Sequence, residues 1–425
     1  MHHFSYKAGV LHAEDVDLSN VAKCVGTPVY CYSTATLQRH YGILADAFAE
    51  QDALICFAVK ANSNQAVLAT LAQQGAGMDV VSEGELRRAM AAGVAADKII
   101  FAGVGKTREE MTFALGHGIL GFNVESEPEL RALSEVATDL GRQAPVAIRV
   151  NPDVDAKTHA KISTGKSENK FGLPFNDAMA LYELAAGLPG LNVVGIHMHI
   201  GSQITDLAPL RAAFVLMRQL AKELLAAGIQ LKHLDLGGGL GIPYDASDPP
   251  PPHPRDYAAI IAECLGDLGL QLVLEPGRMI AGNSGVLLTR VIHIKEGADK
   301  TFLIVDAAMN DLLRPTLYEA HHEIWPVREG LKSMPPVVQD VVGPVCETGD
   351  YLALDRSLPP FAEGDLLTVM SAGAYGAVMS STYNSRLLVP EVLVKGEDFA
   401  VVRPRQTYEQ LIGLDRLPEL SLIHI

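Results

Sequence analysis

From residue 53 onward, apolar runs alternate with stretches of helical spacing. The runs are ALICFAVKAN, GMDVVS, IIFAGV, ILGFNVES, PVAIRVNP, VVGIHMHIGS, HLDLGGGLG and QLVLEPGR, eight in all. Between them lie EGELRRAMAAG, EPELRALSEVATDLG, NDAMALYELAAG and APLRAAFVLMRQLAKELLAAG, whose apolar residues recur every three or four positions. That spacing builds helices with one face on a core. Strand–helix alternation predicts parallel strands joined by right-handed crossovers. Eight units over roughly 230 residues fit a closed (β/α)8 TIM barrel, whose usual length is about 250 residues. An open doubly wound sheet is the alternative, and the count of eight favours the barrel.

After Arg278 the pattern changes. GVLLTRVIHIKEG, KTFLIVDAA, VVQDVVGPVCETGDYLALD, DLLTVMSAGAYGA and RLLVPEVLVKG are β-branched, short-turned and without helical spacing. They predict a C-terminal antiparallel β domain. The N-terminal segment, with TPVYCYS, is strand-rich and is expected to pair into it. The expected organisation is therefore residues 1–35 pairing with the β domain, 36–283 as the barrel and 284–425 as the β domain. The proline run from Asp248 to Pro254 reads as a loop within the barrel half.

The 425 residues allow two or three domains, and 48% apolar content allows a large core. A formal net charge of −16 argues against a nucleic-acid or anionic-membrane partner. Five cysteines without metal-like spacing read as reduced thiols of a cytoplasmic protein. No run reaches membrane-spanning length, and the N-terminus has no apolar signal core. The closing SLIHI is apolar for a tail.

Barrel active sites lie at the C-terminal ends of the strands. The first run ends in Lys60, the second passes Asp79 and the fifth Arg149. The sixth ends with His197, His199 and Ser202, the seventh in the glycines 237–239 and 241, and the eighth in Glu275-Pro276-Gly277-Arg278. A glycine loop lets backbone N–H groups approach an anion, and loops after the last two strands commonly hold phosphate. A tight turn alone is the plainer reading of those glycines. A strand-end amine beside a phosphate site suggests a Schiff base with pyridoxal phosphate (PLP). A structural lysine in a salt bridge is the alternative. Glu275 beside the pyridine nitrogen would keep that nitrogen protonated, or it pairs only with Arg278. His197 and His199 share one strand face, but no further ligand stands near them in sequence, so no metal is expected. One histidine stacking on a cofactor ring, the other packed in the barrel, fits better.

These residues, with FAVKAN, GMDVVSEGEL, IRVNPDV, KFGL, HMHIGSQ, LDLGGGLGIPY, RPTLYEAHH, CETGD and AGAYGAVMSSTYNSR, resemble the fold type III, alanine-racemase-like PLP-dependent decarboxylases, and among them the diaminopimelate decarboxylases. The matching pieces run from about residue 55 to 390. The resemblance implies Lys60 as the Schiff-base lysine and His199 as the residue stacked on the ring. It implies a cofactor-binding set of Lys60, Asp79, His199, Ser202, Gly238, Gly239, Glu275, Pro276, Gly277, Arg278 and Tyr375. It implies substrate binding by Arg278, Arg314, Tyr318, Glu347 and Tyr375, and a catalytic set of Lys60, Cys346 and His199, with Cys346 delivering a proton. In this family Cys346 and Glu347 reach across from a second subunit, so a homodimer is implied.

The implied reaction is decarboxylation of meso-2,6-diaminopimelate to L-lysine and CO2, the last step of lysine biosynthesis. Paired arginines suit a distal carboxylate and Glu347 a distal ammonium. Ornithine or lysine would leave the arginines without an anion. A decarboxylase of another basic amino acid or polyamine precursor (ornithine, lysine or carboxynorspermidine type) is the alternative. Racemisation is disfavoured by Glu275, and a non-catalytic PLP carrier by the second domain. The Gly165–Gly172 loop is where substrate preference varies in the family.

Overall fold

The computed structural model describes residues 2–156, 164, 170–245, 247–298 and 300–418. Residues 165–169 of the GKSENKFGLP loop and the SLIHI tail lie outside the described residues. The chain forms two compact units. One comprises Thr34–Ser284 with Gly373–Val378, and the other His3–Ser33, Gly285–Ala372 and Met379–Ile425. The short piece Gly373–Val378, expected in the β domain, counts with the barrel unit because its backbone bonds there. Tyr375 N–H donates to Ala61 O (2.8 Å), and Gly373 N–H donates to Gly282 O (2.9 Å).

In the first unit the eight apolar runs form strands β1 (Ala53–Ala58), β2 (Gly77–Val80), β3 (Ile99–Phe101), β4 (Gly121–Val124), β5 (Ala144–Asn151), β6 (Leu191–His197), β7 (His233–Asp235) and β8 (Gln271–Leu274). Each pairs in parallel with the next. β8 pairs with β1 through Leu274↔Ile55, which closes the barrel. The open-sheet alternative is thereby removed.

The helices between the strands begin where the sequence supplies caps. Ser82 accepts the N–H of Glu85 at the start of Glu83–Ala91. Thr107 and Glu110 form a capping box for Arg108–His117, which stops at Gly118 in the left-handed region (φ 68°). Ser126 caps Glu127–Asp139, whose buried stripe is Leu130, Leu133, Ser134, Val136 and Ala137. Each such cap contributes about 1 kcal/mol, so Ser126→Ala would weaken that helix by about this amount.

The barrel interior has two chemistries. Cys56, Ile100 and Val273 make an apolar cluster flanked by Leu54 and Leu120. Toward the strand C-termini the chain places Asp79, Asn123, Arg149, His197, Asp235 and Glu275, all buried. Polar groups survive burial only when hydrogen-bonded or paired, so this layer is where chemistry is to be sought.

In the second unit the long strand Gly285–Glu296 pairs antiparallel with Thr301–Val305, Leu366–Val369 and Val29–Ser33. The expectation of a purely antiparallel sheet is corrected at two places. Thr301–Val305 runs parallel to Val337–Val342, and Val29–Ser33 runs parallel to Glu391–Lys395. Parallel neighbours need a long connection. The first pair is joined by a crossover holding the helix Arg314–Tyr318, and the second joins strands from opposite ends of the chain. Val29, Cys31, Val286, Leu288, Val392 and Val394 knit this sheet to the core of the unit.

Candidate active site

β1 ends at Ala58, and Lys60 follows in a single 3-10 turn. The register Ala58↔Asp79 brings β2 alongside. Lys60 Nζ donates to Asp79 Oδ2 at 2.7 Å. Asp79 is fully buried, while the Lys60 side chain keeps 41% of its surface accessible. Burial works against the ammonium, but Asp79, Glu275 and Tyr375 outweigh it and hold the Lys60 amine above its ordinary value. Burial and the Glu275 charge pull the Asp79 carboxyl up, and Lys60 opposes them.

Lys60 opens into a pocket of about 570 Å³, part of it open to solvent, which also takes in His199, Ser202, Gly237–Gly239, Glu275–Arg278 and Tyr375. The glycines let backbones crowd together. A Cβ on Gly238 would lie 2.2 Å from Glu275 O, and one on Gly239 (φ +120°) would lie 2.5 Å from Gly201 O. Gly239 and Gly277 line the pocket, and among the described residues their N–H groups have no protein acceptor. Unmet backbone donors beside Arg278 are suited to a phosphate.

Arg278 is buried. Its Nε and Nη2 donate to Ser202 Oγ at 3.3 and 3.1 Å, and its Nη1 donates to Tyr244 Oη at 2.5 Å. It also lies 5.0 Å from the centre of the Tyr375 ring. His199 Nδ1 accepts the Gly238 N–H at 3.3 Å, which places the ring proton on Nε2. Burial, Arg149 and Lys60 lower its pKa to about 3, so the ring is uncharged at neutral pH. Arg149 is itself fixed by Glu125 at 3.0 Å.

Glu275 sits at the end of β8, 7% exposed. His197 Nε2 is 3.4 Å away, and Asn123 Nδ2 donates to Glu275 Oε1 at 3.2 Å. Although burial opposes it, His197 and Lys60 hold the Glu275 carboxyl well below the usual range. Glu275 is thus an anion facing the pocket. One donor atom each of His197, Asp235 and Glu275 lie within 4.8 Å of one another. Along the chain His197 has no carboxylate near it; closure of the barrel supplies two.

These residues fit PLP. The pocket offers an amine, a carboxylate fixed as an anion, an uncharged imidazole and a glycine cradle with an arginine. Lys60, Asp79, His199, Ser202, Gly238, Gly239, Glu275, Pro276, Gly277, Arg278 and Tyr375 come together here. Sequence reasoning missed Asn123, Asp235 and Tyr244, each of which touches a residue it had named. A usable signal existed for Asp235, which directly precedes the LGGG stretch at a strand end.

The other expected residues belong to the second unit. Arg314 is buried, and its Nη1 donates to His322 Nε2 at 2.8 Å. His322 Nδ1 donates in turn to Met370 O at 2.7 Å, which fixes the tautomer. Tyr318 ends the same short helix. Cys346 and Glu347 are exposed on a well-fastened loop. Cys346 N–H donates to Asn384 Oδ1 at 2.8 Å, and Asp350 accepts the N–H groups of Val345 and Met309, both at 2.6 Å. The Glu347 charge raises the Tyr383 hydroxyl above its ordinary value.

Comparison with known proteins adds to this geometry. The family model for the pyridoxal-binding domain of pyridoxal-dependent decarboxylases matches residues 34–282. The diaminopimelate decarboxylase of Pseudomonas aeruginosa is 52% identical over 417 residues, 98% of this chain and 99% of that protein. That of Zymomonas mobilis is 49% identical, covering 96% of this chain and 97% of its own. Among solved structures, diaminopimelate decarboxylase from Helicobacter pylori complexed with L-lysine superposes with a TM-score of 0.90 at 40% identity, covering 94% of this chain and 99% of that one. The M. jannaschii enzyme in co-complex with L-lysine gives 0.93 at 37% identity, covering 98% and 99%. With its barrel, its strand-end lysine and its full-length likeness in agreement, the chain belongs to the pyridoxal-dependent decarboxylases, in their diaminopimelate decarboxylase branch.

Proposed function

We propose that this protein removes CO2 from meso-2,6-diaminopimelate to give L-lysine, using PLP held by the pocket residues named above. The observation that carries the reading is the meeting of Lys60, Glu275 and the glycine cradle on one pocket. When bound, PLP supplies an aldehyde for amines and a ring that accepts electrons. The chain's own residues do the rest. Asp79 holds the Lys60 amine at the mouth of β1. Glu275, an anion in the pocket, would keep a proton on the ring nitrogen. His199, uncharged, would lie against the ring without adding charge. Gly238, Gly239 and the stretch Glu275–Arg278 would hold the phosphate with Ser202 and Tyr375.

Arg278, Arg314, Tyr318, Glu347 and Tyr375 bind the substrate, with the arginines taking its distal carboxylate and Glu347 its distal ammonium. Cys346 returns a proton to the carbon that has lost CO2. Support for the dimeric reading comes from the loop itself: it is fastened at Val345, Cys346 and Asp350 yet leaves Cys346 and Glu347 exposed, as donation to a neighbouring subunit requires. Among the described residues no helix is long and apolar enough to cross a membrane, and a cytoplasmic location accompanies the reading.

The test is CO2 release from purified protein with PLP, offered meso-diaminopimelate, ornithine and lysine in turn. Appreciable release from the first alone is expected; release from ornithine or lysine at equal rate would overturn the substrate assignment. Sharing of the site is checked by mixing Lys60→Ala and Cys346→Ser proteins. Hybrid dimers carry one intact site and should recover up to about a quarter of wild-type activity.

A further inference from the structure

We propose that Asp235 is a positioning residue that shares a single proton with Glu275 and, with Asn123, fixes Glu275 as the ionised member of the pair. The inference rests on the reading of Glu275 as the partner of the cofactor's ring nitrogen. It adds how that carboxylate is kept ionised and aimed.

The geometry begins at the end of β7. Asp235 is fully buried. Its Oδ1 accepts the Gly237 N–H at 3.0 Å, and its Oδ2 accepts Asn123 Nδ2 at 2.8 Å. The same Asn123 amide nitrogen donates to Glu275 Oε1 at 3.2 Å. One amide therefore spans both acids, and a carboxylate oxygen of each lies within 4.8 Å of the other's. Asn123 is anchored from behind, since its carbonyl accepts from Lys106 Nζ at 2.8 Å.

Two buried carboxylates within 4.8 Å of each other and away from water do not both ionise. The surroundings decide which one keeps the proton. Glu275 has His197 at 3.4 Å and the field of Lys60. Among the described residues Asp235 accepts hydrogen bonds from the neutral donors Asn123 and Gly237, and a ring nitrogen of His197 lies within 4.8 Å of it. Other titratable groups facing the pair are Cys56 from β1, Asp79 from β2, His199, uncharged at neutral pH, and Tyr257 from the helix Pro254–Leu265. None of these is a cation. Burial and the Glu275 charge push the Asp235 carboxyl well up, while His197 and Lys60 hold Glu275 down. A neutral Asp235 can then donate its proton to Glu275, which leaves Glu275 in one orientation and free to take a second hydrogen bond from the pocket side.

The test reads the proton directly. Infrared spectra of the full-length protein, with and without PLP, are recorded at neutral pH for wild type and Asp235→Asn. The wild-type minus Asp235→Asn difference spectrum is expected to carry a protonated-carboxyl stretch. A difference spectrum without that stretch would overturn the proposal. Because the band is sought in cofactor-free protein as well, the result stands apart from any failure of the assigned reaction. A second measurement is PLP affinity. Asp235→Asn, which can still donate to Glu275, should stay within about threefold of wild type, and Asp235→Ala should lose tenfold or more. Equal losses in both variants would show that charge at this position matters rather than the donated hydrogen bond, and would end the proposal. Should Asp235→Ala fail to fold, the Asn variant's spectrum alone decides.

Discussion

Lys60 follows β1 and Lys106 follows β3, and each ammonium meets a carboxylate at 2.7 Å. The likeness ends there. The Lys106 side chain is 1% exposed and also donates to Gly103 O at 2.7 Å and Asn123 O at 2.8 Å. Two hydrogen bonds and a buried ion pair with Glu129 enclose the Lys106 ammonium. Among the described residues Lys60 gives a hydrogen bond to Asp79 alone, and its side chain is 41% exposed toward the pocket. A lysine so enclosed is a structural pin. A lysine with one anchor and an open side can react. Residue type and strand-end position are the same for both, so the number of filled hydrogen bonds separates them.

The largest test of this contrast is Lys60→Ala. CO2 release should fall by roughly a thousandfold or more, and the visible absorbance of cofactor bound to the protein should vanish. A variant that stayed yellow and active would place the chemistry elsewhere. Next in size is Lys106→Met, which strands Glu129, a residue whose side chain is 6% exposed. Loss of one partner of a buried pair costs about 3–5 kcal/mol, read as a lower urea midpoint. An unchanged midpoint would erase the distinction between pin and reagent.

A smaller effect concerns acid. The His199 pKa is lowered to about 3 in the fold, below its ordinary value near 6.5. Between those values the unfolded chain binds a proton that the folded chain refuses. Stability therefore falls as pH drops through that window, by at most about 1.4 kcal/mol per pH unit for this one group. His233, lowered to about 4 by burial and by His197 and Lys232, adds its own share. His199→Gln should flatten the acid limb of urea midpoints measured from about pH 7 to pH 4 without abolishing it. The smallest expected change is that of Tyr244→Phe, which removes one hydrogen bond from Arg278. A loss of about 1 kcal/mol in binding, a few-fold rise in KM or in PLP dissociation constant, is the expected reading.

The barrel was legible because parallel strands buried on two faces leave continuous apolar runs, and eight of them stood in a row. The lining of the pocket was legible for a related reason: Lys60, His199, Glu275 and Arg278 all sit at the ends of those runs, where barrels do their chemistry. Tyr375, Cys346 and Arg314 stood out only through resemblance, since a lone tyrosine, cysteine or arginine in a β-rich stretch carries no signal of its own. The link of Asn123 to Asp235 and Glu275, and the approach of His197 to Glu275, were opaque for a physical reason. Asn123 and Asp235 are 112 residues apart and become neighbours only when the barrel closes. The two parallel pairings of the second unit were hidden likewise, because β-branched runs announce strands but not their direction.

The hexapeptide Gly373–Val378 interrupts a long stretch that otherwise counts with the other unit, and it carries Tyr375 and the backbone bond to Ala61 next to Lys60. A gene truncated after codon 284 would therefore encode a barrel lacking one of its own phenols and a backbone tie beside its reactive amine. Any attempt to transplant this barrel onto a different partner module, or to trade modules between relatives, has to carry those six residues along by loop grafting rather than by a single splice.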